Sequence, residues 1–206
     1  MILLKTSAGC LRSARLLLAA TAISVLTQFS PVMAQDPIPG GTLHLPAPYS
    51  SALKSLDPHI TYESQDMAVS KAFHRALYTW DSAENRPALD LATAVETSAD
   101  GKTFTYKLRD NAYFHNGRKM TADDLIWSYT RIMDPAKGYP GSPMISEIVG
   151  AEDYAAGKAT SISGLKKIDD FTLEITFKNY LEPGTLLFEA VTAILPKEEA
   201  DKPEFL

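Results

Sequence analysis

A tight turn followed by strict alternation constrains this chain more than any other feature. Ala99-Asp100-Gly101-Lys102 leads straight into Thr103-Phe104-Thr105-Tyr106-Lys107-Leu108. An Asp-Gly pair accepts the positive φ values of a tight turn, and the period of two puts Phe104, Tyr106 and Leu108 on one face of a strand. The prediction is a half-buried antiparallel strand, which needs partner strands and a covering layer. Leu173, Ile175 and Phe177, alternating with Thr172, Glu174 and Thr176, read as a second strand of the same kind.

Helices are marked by their ends. After a second turn at His115-Asn116-Gly117, Thr121 caps a helix while Asp124, three residues on, returns the interaction and suits the positive end of the helix dipole. Leu125, Tyr129, Ile132 and Met133 form its apolar face, and Asp134-Pro135 ends it. Upstream, Val69, Phe73 and Leu77 recur at i, i+4 and i+8 beside Ala68, Ala72 and Ala76. This spacing predicts a helix of about three and a half turns with one packed face running to Leu77. Asp81, Asn85 and Pro87 form a turn after it. Thr42 to Leu45 reads as a strand ending at Pro46, followed by a loop through Leu56-Asp57-Pro58-His59, and Glu182-Pro183-Gly184 opens an apolar stretch from Leu186 to Leu195. There is no internal repeat. Mixed strands and capped helices imply an α/β or α+β fold with considerable loop, and 206 residues with 45% hydrophobic and 22% charged are ample for a globular core.

The first 34 residues read as an export signal rather than part of that globule. Lys5, Arg12 and Arg15 supply a positive region, Leu16 to Phe29 is apolar, and Val32-Met33-Ala34 places small residues ahead of Gln35, so cleavage is expected after Ala34. The apolar run is too short for the roughly 20 residues of a membrane span. Arg12 and Arg15 are not adjacent, and Cys10 precedes the apolar run, so neither a twin-arginine signal nor lipid anchoring is expected. Losing the leader removes the only thiol, and with it disulfides, cysteine nucleophiles and thiolate metal sites. It also removes three of 20 basic residues and none of 25 acidic ones, taking the net charge from -5 to -8. Such a chain lacks the basic surface that neutralises a phosphate backbone, and nucleic acid is not an expected partner.

No catalytic constellation emerges. His44, His59, His74 and His115 are scattered with no helical ligand spacing, and His59 and His115 read as loop residues beside turns. Asp123-Asp124 fits capping better than paired acid/base carboxylates, because both sit in the first turn of a helix. Trp80 and Trp127 read as packing residues rather than ligand-stacking ones. No catalytic residue, metal ligand or cofactor is expected.

An ordered series of stretches carries a resemblance. It runs through Gly40-Gly41-Thr42-Leu43, Ser55-Leu56-Asp57-Pro58-His59, Ala76-Leu77-Tyr78 and Pro87-Ala88-Leu89 to Ala99-Asp100-Gly101-Lys102. It continues with Tyr106-Lys107-Leu108-Arg109-Asp110, Phe114-His115-Asn116-Gly117, Thr121-Ala122-Asp123-Asp124-Leu125 and Asp134-Pro135, then Asp153-Tyr154-Ala155-Ala156-Gly157 and Asp169-Asp170-Phe171-Thr172-Leu173. Together they resemble the peptide/nickel class of extracellular solute-binding proteins that deliver ligands to ABC importers, particularly the oligopeptide binders, across nearly all of Gly40 to Lys197.

The resemblance implies an α/β fold like the type II periplasmic binding proteins: two lobes close over a ligand, and a third subdomain is inserted in the first lobe. Members are more than twice this length, so the resemblance implies an N-terminal fragment holding part of lobe I plus the inserted subdomain. The expected boundaries are 1–34 signal peptide, 35–63 start of lobe I, 64–190 inserted subdomain and 191–206 a truncated return into lobe I. The loop from Ala47 to Leu56 would run along the cleft and offer backbone groups to an extended ligand, as in strand addition. Its centre, Ser51, Ala52, Leu53 and Lys54, is the expected ligand contact, joined by Tyr139 and Met144 after the Asp-Pro stop. The acidic residue that holds a peptide's amino terminus in the family lies in the second lobe. The expected function is a non-enzymatic, monomeric, periplasmic capture protein, with an oligopeptide ligand and the membrane permease subunits of an ABC importer as partners. Two alternatives stand beside it: a secreted hydrolase with catalytic residues further along, and a non-functional truncated product.

Overall fold

A computed structural model describes residues 53–60, 63–200 and 202. The leader, the strand expected at 42–45 and the ligand residues Ser51 and Ala52 lie outside the described residues. Contacts divide the chain into Met1–Leu45 and Pro46–Leu206, and everything described belongs to the second unit.

Helix α1 (Ser64–Phe73) is followed by a two-stranded antiparallel ribbon, β1 (Tyr78–Asp81) and β2 (Arg86–Leu89), then β3 (Ala92–Thr97), β4 (Thr103–Leu108) and helix α2 (Ala122–Ile132). Short helices α3 (Ser142–Ile145) and α4 (Ala151–Ala155) precede β5 (Leu165–Asp169) and β6 (Thr172–Thr176). Two 3-10 turns, Pro183–Thr185 and Ala190–Thr192, and helix α5 (Lys197–Ala200) complete the order. The main sheet is antiparallel throughout, in the order β3-β4-β6-β5.

The alternation in β4 is realised as expected: Phe104, Tyr106 and Leu108 are buried, and Phe104 and Tyr106 stand opposite Ile175 and Leu173 of β6. Gly101 turns the chain at φ 69, and Asp100 Oδ1 accepts the Lys102 N–H at 3.1 Å. These side chains meet Leu125, Tyr129 and Ile132 of α2 in one core. The cap of α2 forms as the sequence predicts, with the Thr121 N–H donating to Asp124 Oδ2 at 2.9 Å. Arg118 braces the same carboxylate and also bonds Glu198 of α5. The outer strand β5 carries exposed Lys166 and Lys167, which discourage further edge pairing.

Two expectations fail locally. The helix predicted through Leu77 stops at Phe73, where His74 turns extended at φ -112 and ψ 150. Leu77 is fully buried in the core, and its carbonyl accepts the Asp90 N–H at 2.9 Å. A fully buried leucine with a sheet-like partner outweighs one more helical turn. The buried side of α1 is polar, Asp66 and Ser70, whereas Phe73 is 53% exposed. Trp80, read as a packing residue, is 40% exposed and rests tilted on Phe188 at 5.2 Å.

Candidate functional site

The segment before α1 folds on its own side chains. The Asp57 N–H donates to Ser55 Oγ at 3.0 Å, and Asp57 Oδ1 accepts the His59 N–H at 2.9 Å. These are the local bonds that favour Ser and Asp around a turn. The buried polar face of α1 holds the segment from the other side. Asp66 Oδ1 accepts the Lys54 N–H at 3.1 Å, and His74 Nε2 donates to the Leu56 carbonyl at 3.1 Å. Lys54 also reaches Glu63 at 2.8 Å, and that hydrogen bond holds its ammonium above the ordinary range.

The root of the segment enters a buried polar cluster around Arg131 of α2. Arg131 Nη2 donates to Asp57 Oδ2 at 2.7 Å and to the Ala200 carbonyl at 3.2 Å. Arg131 Nη1 reaches Asp57 Oδ1 at 3.3 Å and His59 Nδ1 at 2.9 Å. His59 Nε2 lies 2.9 Å from the Ala193 carbonyl. A guanidinium has no acceptor and a carbonyl no donor, so Nδ1 accepts, Nε2 carries the proton and the ring is neutral. Burial pushes the His59 imidazole down to about 4, with the Asp57 carboxylate opposing that shift. Tyr139 closes the cluster, its ring 4.8 Å from the Arg131 guanidinium carbon and edge-on to His59 at 6.1 Å.

Beside this cluster runs a groove of about 980 Å³. It is lined by Phe73, His74 and Arg75 at the end of α1, by Ile194, Pro196 and Glu199, and by Tyr113 to Asn116, and the Ile194 N–H donates to the Arg75 carbonyl at 2.9 Å. Lys71, Arg75 and Arg109 make its lining cationic on a chain of negative net charge, while Phe73, Tyr113 and Phe114 supply aromatic surface. Arg75 is paired with Asp90 at 3.2 Å, and burial holds the Asp90 carboxyl above its ordinary range despite Arg75 and Arg109 beside it. Aromatic faces with fixed cations suit an extended ligand that carries carboxylates. Among the described residues no group of three or more His, Cys, Asp and Glu could hold a metal, and no helix is long and apolar enough to cross a membrane.

Of the ligand residues expected from sequence, Leu53 is 51% exposed and Lys54 is exposed on the moored segment. Tyr139 is only 6% exposed and joins the buried cluster. Met144 is half-buried on α3. None of these four is among the described residues lining the groove. The sequence reading missed His59, which it treated as a loop residue and which is fully buried. It also missed Arg131, whose only signal was a charge adjoining the apolar face of α2.

The model of the bacterial extracellular solute-binding proteins, family 5 middle region, matches residues 86–205. The chain is similar to the periplasmic oligopeptide-binding protein OppA of Escherichia coli, 30% identical over 199 residues that make up 91% of this chain and 36% of that protein. It is similar to a dipeptide-binding protein of Lactococcus lactis, 33% identical over 123 residues, 59% of this chain and 22% of that protein. Among solved structures, peptide-bound OppA of Listeria monocytogenes superposes with TM-score 0.70 at 25% identity, covering 77% of this chain and 33% of the other. OppA of Haemophilus influenzae in complex with RPPGFSPFR superposes with TM-score 0.67 at 28% identity, covering 72% of this chain and 30% of the other. The chain thus spans about a third or less of the length of these relatives.

Proposed function

We propose that this chain, which belongs to the bacterial extracellular solute-binding proteins of family 5, captures oligopeptides in the periplasm and presents them to the membrane permease of an ABC importer. The observation that carries this reading is the likeness of most of the described chain to oligopeptide-binding proteins solved with peptide bound. In this proposal the leader is cleaved after Ala34 without lipid attachment, and the mature protein is monomeric, non-enzymatic and indifferent to nucleic acid. Residues 35–63 and 191–206 belong to the first lobe, with 64–190 inserted between them.

The ligand lies against the segment Ser51, Ala52, Leu53 and Lys54, pairing with its backbone as an added strand, and closure of two lobes traps it. Met144 and Tyr139 complete the contact from the subdomain, Tyr139 by the edge of its buried ring. Capture by closure needs only a differential affinity for the closed state and no bond-making chemistry.

Deleting the gene in its host tests the reading. A strain dependent on an amino acid supplied only within tri- to pentapeptides is expected to stop growing on them and to keep growing on the free amino acid. Undiminished peptide use in a host with no second peptide importer would overturn the proposal.

A further inference from the structure

We propose that Asn116 is a deamidation site, a modification built into the exposed Asn116-Gly117 turn and restrained in the folded chain by Glu198. Asn116 and Gly117 are both exposed, and a Cβ placed on Gly117 would meet nothing within 4 Å. Before a glycine, no neighbouring Cβ shields the asparagine amide carbon from the next backbone nitrogen.

Besides the chain itself the reaction needs only water. The Gly117 nitrogen loses its proton to solvent and attacks Asn116 Cγ. The Cγ–Nδ2 bond breaks, and the amide nitrogen regains a proton from solvent and leaves as ammonia. Water then opens the five-membered imide at one carbonyl or the other, leaving aspartate or isoaspartate. Negative charge develops on Oδ1 during the attack, and the Arg118 N–H already donates to that oxygen at 3.0 Å.

Two contacts oppose the attack. The Gly117 N–H is engaged by the Phe114 carbonyl at 2.9 Å, and Asn116 Nδ2 donates to Glu198 Oε1 at 3.0 Å. Arg118 grips the same carboxylate at 2.6 and 2.8 Å and holds it down to about 2. An ionised Glu198 thus stands beside the amide on which further negative charge would have to form.

The Asp100-Gly101 turn makes an internal contrast. A Cβ on Gly101 would come 2.5 Å from the Tyr180 ring, which covers that turn. Ser98 Oγ and the Lys102 N–H donate to Asp100 Oδ1 and hold its carboxyl below the ordinary range. A carboxylate is a poor electrophile, so Asp100 is expected not to react. At Asn116, conversion replaces the donor facing Glu198 by a second carboxylate. Helix α5, which Glu198 anchors, then loosens at the Glu199 and Ala200 N–H groups, both bonded to the Pro196 carbonyl at 3.0 Å.

Incubation of the whole chain in mildly alkaline buffer, followed by peptide mapping with mass spectrometry, tests the proposal. The native chain is expected to gain aspartate and isoaspartate at position 116, more slowly than the same chain unfolded in urea, while Asp100 stays aspartate. Glu198→Ala is expected to speed the conversion about tenfold with an unaltered far-UV spectrum. Gly117→Ala is expected to suppress it in folded and unfolded chain alike. No conversion at position 116 in the native chain, while the unfolded chain converts, would overturn the site. Equal rates in native and Glu198→Ala chains, or in native and unfolded ones, would overturn the restraint. In Asn116→Asp, amide exchange at Glu199 and Ala200 is expected to quicken while β4 keeps its protection, and native rates there would refute the loosening of α5.

Discussion

Arg131 and Asp57 lie 74 residues apart in sequence, yet Nη2 of one stands 2.7 Å from Oδ2 of the other with both side chains buried. That bond joins the segment leading into α1 to the last turn of α2, where the negative end of the helix dipole also favours a cation. It makes a single helix the fixed point for chain on both sides of the subdomain.

Removing one partner leaves the other charge buried. Asp57→Asn is therefore expected to cost about 3–5 kcal/mol. Asp57→Leu combined with Arg131→Met should recover much of that loss, because no charge then remains without compensation. Urea unfolding of the three proteins checks this, and a double variant no more stable than the single one would contradict it.

Stability should fall with acid in a defined window. The folded His59 titrates near 4, against an ordinary value of 6.5. Between these values the unfolded chain takes up a proton that the folded chain refuses. The contribution is whole above pH 6.5 and is lost as pH drops toward 4, by about 3 kcal/mol in total. Burial also lowers His74, which acts in the same direction. Unfolding free energies at pH 7, 5.5 and 4.5 should show the decline, and His59→Gln should flatten it.

Strand β4 provides a face-by-face test. Phe104→Ala and Tyr106→Ala each remove a side chain that is at most 6% exposed, at an expected cost of about 3–5 kcal/mol. Thr105→Ala, on the opposite half-buried face, should cost under about 1 kcal/mol. Denaturant midpoints decide, and equal losses at all three positions would mean that the two faces are not distinct.

Two glycines should respond differently to alanine. A Cβ on Gly164 would sit 2.7 Å from the Thr176 carbonyl oxygen and 2.8 Å from that of Val149, both backbone atoms that cannot step aside. Overpacking of this kind costs about 1–3 kcal/mol and shifts backbone. Gly117 has open space around its Cβ position but φ +84, so Gly117→Ala should cost only about 1 kcal/mol. Thermal unfolding of both variants ranks them.

What the sequence made legible was whatever neighbours decide. The Asp100-Gly101 turn, the buried faces of β4 and β6 and the cap of α2 all follow from backbone sterics and from a periodicity of two or 3.6 residues. Each involves groups only a few positions apart, and each is found where expected. The ordered motifs also carried the family.

The end of α1 lay beyond that reach. Val69, Phe73 and Leu77 have helical spacing, yet the core claimed Leu77 and hydrogen bonds to the preceding segment turned Asp66 and Ser70 inward. The Asp57–His59–Arg131 cluster was equally invisible, since an aspartate before a proline and an arginine near a helix end are ordinary alone. Only the folded chain brings them to one point, and only burial converts their proximity into a fixed tautomer, a depressed imidazole and a set distance. Local sterics are encoded in consecutive residues, whereas the strength of a charge contact depends on what surrounds it, and that is decided by tertiary structure.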